Sequence, residues 1–290
     1  MENQEFVKLS INGRYLKTAR IEEEWLDDVQ DPEAILRQIR AGGKGADIFT
    51  FWQRLPDVTP RYGYYMETQS VAAIPVSTYE NWLSNQVNKG ARRAVRKAAK
   101  VGIDVRVSEI DPDIEQGIWE VFNETPVRQG RPYPYYGADL ETVRKELAKD
   151  AERCTFVCAF FGKEMVGFIK LADAGQYTVP FGMVSKMAHR DKSVQNALLA
   201  KAVEVSSEKK IPYLLYGFWN EGTLNDFKEN NGALEYRLPR YYIPLTLKGR
   251  VALAMGFHHG IRSRVPPAVK RLFLKYRNRF YLKKYKLKEG

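Results

Sequence analysis

The chain has 290 residues, of which 44% are hydrophobic and 28% charged, a composition typical of a soluble globular protein rather than a disordered or fibrous one. No apolar run approaches the roughly 18–20 residues that a membrane span requires. The N-terminal sequence MENQEFVKLS lacks the basic and apolar segments of a secretory signal, so we expect a cytoplasmic protein. The net charge of +11 points to an anionic partner.

Residues 1–88 predict a mixed α/β portion. Its expected elements are a strand pair around Phe6–Leu16, a helix from about Pro32 to Arg40, strands near Asp47–Arg54 and Gly63–Ile74, and a helix that begins near Thr78. The run Gly42-Gly43-Lys44-Gly45 lacks the spacing and the Lys-Ser/Thr ending of a phosphate loop, which favours a flexible loop.

A basic helix is predicted next, ending at Gly102. Its cations are Lys89, Arg92, Arg93, Arg96, Lys97 and Lys100. They occupy several faces of the helix, which favours a solvated surface, with phosphate binding as the alternative.

From residue 103 the hydrophobic pattern alternates regularly between strands and helices. Strands are expected at 103–108, 154–161, 164–172, 176–187, 212–217 and 234–243, and helices at 112–123, 139–150, 193–209 and 222–230. Gly162-Lys163 has the composition of a hairpin turn. This order predicts an α/β (α+β) fold with a mixed central sheet flanked by helices.

Cys154 and Cys158 are expected on the same face of one strand, a spacing that does not suit a disulfide. We interpret them as buried, reduced thiols. No metal site is predicted, because His189, His258 and His259 do not follow a recognisable ligand spacing.

The loop of residues 123–137 is rich in polar and aromatic side chains, and long loops of this kind often carry function. Arginines can hold phosphate or carboxylate, and tyrosines provide stacking surfaces and hydroxyl groups. The predicted substrate contacts are Arg128, Gln129, Arg131, Tyr133 and Tyr136. The alternative is a proline-stiffened surface loop with its tyrosines packed on the body.

Two further candidate regions follow strand ends. In residues 186–196 a strand gives way to a helix N-terminus, which attracts anions; His189 is a candidate for proton transfer and Asn196 for substrate binding. The region from Gly217 onwards follows a buried strand, where open α/β sheets usually bind ligands, and it contributes Trp219, Lys228 and Arg240. Structural roles for His189 and for a surface Lys228 remain the alternatives.

The positive charge is concentrated near the C-terminus. Residues 248–290 hold thirteen Lys and Arg against the single acid Glu289, a charge of +12, which leaves about −1 for residues 1–247. Pro266-Pro267 can open a helix whose apolar positions are Val269, Leu272, Phe273, Tyr276 and Phe280. This basic amphipathic pattern fits an anionic membrane surface; a docked, solvated helix and nucleic-acid binding are the alternatives.

Three further segments form a recognisable set: KVGIDVRV (100–107) after the basic helix, NALLAKAVEVSSEKKIPYLLYG (196–217), and LNDFKENNGA (224–233) with its Phe-Lys pair. With the order of elements, they resemble the GNAT acyltransferase fold, in the branch of the Fem-type aminoacyltransferases and the acetyltransferase-like proteins of polysaccharide gene clusters. The resemblance covers roughly residues 75–245. We expect a smaller N-terminal portion (1–88), a GNAT-like domain (89–247) and a basic helical tail (248–290).

The resemblance implies an acyl donor in the groove where the fourth and fifth strands splay, around 180–187 and 212–217. An amine would attack the activated acyl group directly, and either a tyrosine, for which Tyr216 is the candidate, or a water relay would transfer the proton. The lysine of the Phe-Lys pair, Lys228, would contact phosphate or the transition state.

The junction Arg190-Asp191-Lys192-Ser193-Val194-Gln195 departs from this family, because the acetyl-CoA enzymes carry a glycine-rich loop here. The donor is therefore open among acetyl-CoA, aminoacyl-tRNA and another acyl carrier. The predicted function is transfer of an acyl or aminoacyl group to an amine of a small-molecule, cell-envelope or polysaccharide precursor. The alternative is a non-catalytic module that binds a phosphate-bearing glycan-lipid or a membrane partner.

Overall fold

A computed structural model describes residues 7–43, 45–219, 222–260 and 267–285. The strands are β1 (Leu9–Asn12), β2 (Thr18–Ile21), β3 (Ile48–Trp52), β4 (Tyr65–Pro75), β5 (Ile103–Ser108), β6 (Val127–Arg128), β7 (Arg131–Pro132), β8 (Cys154–Phe161), β9 (Glu164–Asp173), β10 (Tyr177–Ser185), β11 (Tyr213–Phe218) and β12 (Leu234–Pro244). The helices are α1 (Pro32–Ala41), α2 (Tyr79–Asn81), α3 (Lys89–Lys100), α4 (Pro112–Asn123), α5 (Leu140–Ala148), α6 (Val194–Glu208), α7 (Thr223–Asn230), α8 (Leu247–Ala254) and α9 (Pro267–Lys284).

Ten of the described strands form one mixed sheet with the order β1-β2-β3-β12-β4-β11-β10-β9-β8-β5. The pairs β2–β3 and β10–β11 are parallel, whereas β8, β9 and β10 form an antiparallel meander. The predicted fold class is confirmed. No helix within the described residues is long and apolar enough to cross a membrane.

The predicted elements agree closely with the structure from residue 89 onwards, but the first strand pair was placed too early. The hairpin turn lies after Asn12, so the second strand begins at Thr18. Gly13 allows this turn, since its φ is +110° and a Cβ atom there would meet the carbonyl oxygen of Leu16. Helix α8 was not predicted.

The chain divides into two compact units. The first comprises Met1–Ala72, Gly217–Asn220 and Glu235–Arg264. Its core packs α1 against the inner strands through buried residues that include Ile35, Phe49, Phe51 and Tyr241. The hydroxyl of Tyr241 donates to Gln53 (2.9 Å), so the polar end of this buried ring is hydrogen-bonded.

The second unit comprises Ala73–Tyr216, Glu221–Leu234 and Val265–Gly290. Helices cover both faces of its sheet. On β9, Phe168 packs in the cluster formed with α4 and α5, whereas a Cβ on the preceding Gly167 would meet Leu198 of α6. Neighbouring residues of a strand point to opposite faces, so α4 and α6 lie on opposite sides.

The prediction of buried, reduced thiols is confirmed for Cys158 and only in part for Cys154. Cys158 is buried, Cys154 is partly buried, and both are free thiols. Both belong to the cluster on the α4–α5 face, which confirms that they share one face of β8.

Candidate functional site

The parallel strands β10 and β11 of the second unit diverge soon after they begin. Their pairing in the described chain is limited to Tyr177 with Tyr213 and Thr178 with Leu214. β10 nevertheless remains paired with β9 as far as Ser185, across a bulge between Pro180 and Gly182. Bulges of this kind bend a strand and often lie beside functional sites. The divergence lies in the two strands where the GNAT resemblance places the splay.

Two predicted catalytic side chains lie beside this divergence. The hydroxyl of Tyr216, on β11, contacts the sulfur of Met183 on β10 at 3.8 Å. The Nζ atom of Lys228, on α7, lies 5.5 Å from the centre of the Tyr216 ring. Tyr216 and Lys228 are therefore brought together from elements that are separate in the sequence.

Burial shifts the pKa values of both groups. Burial raises the pKa of Tyr216, because the phenolate is the form that loses hydration. The same effect lowers the pKa of Lys228, whose charged form is the ammonium. Only 3% of Lys228 is exposed, so it is not the surface lysine that the sequence left as an alternative.

A buried asparagine, Asn231, connects α7 to the first turn of α6. Its Nδ2 atom donates to the carbonyl of Phe227 (2.7 Å), and its Oδ1 atom accepts from Asn196 Nδ2 (3.3 Å). Its carbonyl accepts from the indole of Trp82 (2.9 Å). Asn196 thus supports the element that carries Lys228. No local pattern marks Asn231, because its contact with Trp82 spans 149 residues of the chain.

The junction between β10 and α6 forms a short helical turn over 187–192. Ser193 takes a left-handed backbone conformation with φ of 59°, although it is not a glycine. His189 is buried, and its Nε2 atom lies 3.2 Å from Glu164. Lys186 donates to the same carboxylate (2.8 Å), and this hydrogen bond lowers the pKa of Glu164. These contacts account for the position of His189; its predicted catalytic role stays a prediction.

The loop of residues 123–137 contains the small hairpin β6–β7, whose turn residues Gln129 and Gly130 both have positive φ. Arg128 donates to the carbonyls of Ser185 (2.7 Å) and Val121 (2.9 Å) and pairs with Glu124 (3.2 Å).

The guanidinium of Arg128 also lies over the ring of Tyr133, at 4.9 Å. Arg128 and Tyr133 therefore fasten the loop to α4 and to the end of β10, whereas Gln129, Arg131 and Tyr136 are exposed. Their predicted substrate roles stay predictions.

Two predicted contacts belong to the first unit. Arg240 is buried and donates to Glu24 (3.0 Å) and to the hydroxyl of Thr50 (3.2 Å), so its charge is compensated internally. The backbone of Trp219 donates to the carbonyl of Ser70 (3.0 Å). Neither observation tests a role in binding.

The first unit also contains a cluster that the sequence did not predict. Ligand-type atoms of Glu67, His258 and His259 lie within 4.8 Å of one another. His258 and His259 contact the same Glu67 oxygen at 2.8 and 3.1 Å, and Tyr65 donates to it at 2.9 Å. Histidine spacing could not reveal this cluster, since Glu67 lies 191 residues from His258. Mutual hydrogen bonds account for its geometry.

No family model matches the chain, and no curated protein matches it. Several solved structures match the fold of the chain. The C-terminal domain (DUF2156) of a predicted lysylphosphatidylglycerol synthetase from Agrobacterium fabrum superposes with a TM-score of 0.58 at 15% identity, over 86% of this chain and 83% of that one.

FemX gives a TM-score of 0.57 at 12% identity over 86% of each chain. L-PGS from Bacillus licheniformis gives 0.58 at 14% identity, over 85% of this chain and 84% of that chain. At these identities the comparison establishes the fold alone. The fold is the GNAT-like one, in the form shared with FemX and the lysylphosphatidylglycerol synthetase domain.

Proposed function

We propose that the chain is an acyl- or aminoacyltransferase that acts on an amine of a cell-envelope or polysaccharide precursor. The observation that carries this proposal is the divergence of β10 and β11 beside Tyr216 and Lys228. The names of two proteins of similar fold, FemX and lysylphosphatidylglycerol synthetase, are consistent with it.

The described pairing of β10 with β11 ends at Thr178, and the backbone of β10 beyond it is where we expect donors for an acyl group to lie. Backbone donors of this kind can bind an acyl carbonyl and stabilise the negative charge that develops on its oxygen. The acceptor nitrogen then attacks the carbonyl carbon, a C–N bond forms, and the bond from carbon to the donor's oxygen or sulfur breaks. The amine loses one proton and the leaving group gains one.

Tyr216 is suited to supply that proton. A tyrosine phenol is protonated at neutral pH and can donate to a leaving group, and burial raises the pKa of Tyr216 further, which makes it a poor base. Tyr216→Phe retains the ring and removes only the donor.

Lys228 is suited to bind negative charge on the donor or in the transition state. Its ammonium lies in a buried environment, where an ionic interaction is stronger than in water. The donor is acetyl-CoA, an aminoacyl-tRNA or another acyl carrier, and the glycine-free junction at Ser193 favours the latter two.

A transfer assay tests this proposal. The purified full-length protein is given radiolabelled acetyl-CoA or tRNA charged with radiolabelled amino acids, with glucosamine or a lysine-containing pentapeptide as acceptor. We expect label in the acceptor. Lys228→Met should lower kcat/KM by about 100-fold and Tyr216→Phe by at least about tenfold, in line with the loss of one charge-stabilising or proton-donating group.

Tyr241→Phe is the matched control, since it removes a buried tyrosine hydroxyl from the first unit. Its specific activity per folded molecule should stay near that of the wild type. Wild-type activity in Lys228→Met and Tyr216→Phe would refute their roles. Saturable donor binding without transfer to any acceptor would instead support the non-catalytic module.

A further inference from the structure

Helix α9 exposes large apolar side chains along one face. The exposed fractions are 52% for Val269, 66% for Phe273, 64% for Tyr276 and 62% for Phe280. Their spacing of four, three and four residues places them within about 60° of one another around the helix, because each residue turns it by roughly 100°. The four side chains form a continuous apolar ridge that runs along three turns, hereafter the α9 ridge.

On the other side of the helix Leu274 is also exposed (42%), but Asn278 contacts the second unit. Asn278 lies against the hairpin turn of β6–β7, where a Cβ on Gly130 would come within 3.1 Å of its side chain. Arg277 and Tyr281 are partly buried. The four side chains of the α9 ridge therefore do not pack on the body of the protein. For these residues, the alternative of a docked helix with a covered apolar stripe is excluded.

Exposed cationic side chains lie near the C-terminal end of the α9 ridge. Arg279, Lys283 and Lys284 are exposed on the last turns of α9. They belong to the segment 248–290, whose charge of +12 contrasts with about −1 for the rest of the chain. A partner that fits must combine negative charge at its surface with an apolar layer beneath it.

We propose that α9 binds the surface of an anionic lipid bilayer, with the ridge at the boundary of the acyl chains and the cations at the phosphates. An amphipathic helix with aromatic and basic residues binds such a surface through apolar burial and electrostatic attraction together. Polyanions such as RNA match the charge but lack an apolar layer for Val269 and Phe273. This inference does not depend on the transferase proposal.

Vesicle sedimentation tests the inference with the full-length protein. The vesicles contain phosphatidylcholine alone or with about 30% phosphatidylglycerol, at moderate salt. One variant carries Phe273→Ser, Tyr276→Ser and Phe280→Ser; a second carries Arg279→Gln, Lys283→Gln and Lys284→Gln. The matched charge control carries Arg93→Gln, Arg96→Gln and Lys97→Gln, which removes three exposed cations from α3. Thermal unfolding verifies that each variant is folded.

The wild type should sediment with the anionic vesicles and not with the neutral ones. Each α9 variant should bind the anionic vesicles at least about tenfold more weakly. Each lysine or arginine near an anionic surface, and each aromatic ring buried in the bilayer, contributes to the free energy of membrane binding. The α3 variant should lose less than about threefold.

Three results would overturn the proposal: no binding of the wild type to anionic vesicles, undiminished binding of the serine variant, or an equal loss in the α3 variant. Binding to polyuridylate with none to vesicles would assign the charge to nucleic acid instead. The transfer assay uses water-soluble acceptors and no vesicles, so failure of either proposal leaves the other intact.

Discussion

Two buried lysines of the second unit show how strongly the surroundings decide what one side chain can do. Lys170 donates to the carbonyls of Glu146 (3.0 Å) and Leu147 (3.2 Å) and also to that of Lys149, so it closes the C-terminal end of α5. For Lys228, burial is the dominant influence and lowers the pKa. Lys170 is held by backbone acceptors, whereas at Lys228 burial disfavours the charged form of the side chain.

Replacement of these lysines by methionine should have opposite effects on stability. At pH 7, Lys228→Met should unfold at a temperature a few degrees above that of the wild type, because it removes an ammonium whose burial disfavours the folded state. The unfolded lysine keeps its ordinary pKa near 10.5, so wild-type stability rises as pH approaches that value. The gain from Lys228→Met should therefore shrink as pH rises from 7 to 10.

Lys170→Met provides the contrast, since it leaves buried carbonyls without a donor and should destabilise the protein by about 1–3 kcal/mol. Urea unfolding followed by circular dichroism measures both variants. If Lys228→Met were as destabilising as Lys170→Met, the account of its burial would be wrong.

At the scale of elements, α8 owes its position to a glycine. Gly249 lies in the first turn of α8, where a Cβ atom would come within 2.9 Å of the carbonyl carbon of Asp47 and closer still to its oxygen. The helix is capped by Thr246, whose hydroxyl also donates to Asp47 (2.9 Å). Ala252 and Leu253 then pack on Ile48. The close approach of backbone to backbone is what allows this packing.

Gly249→Ala should therefore destabilise the protein by about 1–3 kcal/mol or more, as overpacked sites do. Urea unfolding gives the value. Gly63→Ala is the control, because a Cβ there meets nothing within 4 Å and the backbone does not require glycine. Similar unfolding midpoints for the two variants would contradict the close approach of α8 to Asp47.

At the scale of the whole molecule, charge and fold are largely separate properties. Residues 1–247 carry about −1 and residues 248–290 carry +12. Exposed ion pairs contribute little to stability, and salt screens them further. Raising NaCl from about 50 to 500 mM should therefore shift the thermal midpoint by less than about 3 °C.

The same increase in salt should release most of the protein from anionic vesicles, because the attraction to the lipid phosphates is screened. Calorimetric unfolding and vesicle sedimentation, each measured across the same salt series, compare the two effects. A large fall in the thermal midpoint together with salt-resistant vesicle binding would show that the charges of 248–290 serve the fold rather than a surface.

The solved structures of similar fold share only 12–15% of residues with this chain over more than four-fifths of its length. Different side chains can build one fold when the apolar pattern of strands and helices is retained, because burial depends on volume and pattern more than on identity. This explains why the pattern predicted the fold while the substrate stays a proposal.

Elements with local signals in the amino-acid sequence could be predicted before the fold was known. The Gly162-Lys163 turn joins Phe161 to its pairing partner Glu164 as expected, and the alternation in β8 places Cys154 and Cys158 on one face. These features depend on periods of two or about four residues, which are written in adjacent positions.

Contacts between distant segments determine which polar groups are paired inside the protein and which face of a helix is exposed. The sequence predicted Arg128 and Arg240 as ligand contacts. In the structure, each of them forms an ion pair with a carboxylate of the protein itself. An amphipathic pattern likewise shows that α9 has two faces but not which of them meets the body. That choice depends on Asn278 lying against the β6–β7 turn, a contact between segments some 150 residues apart in the chain, which no local pattern encodes.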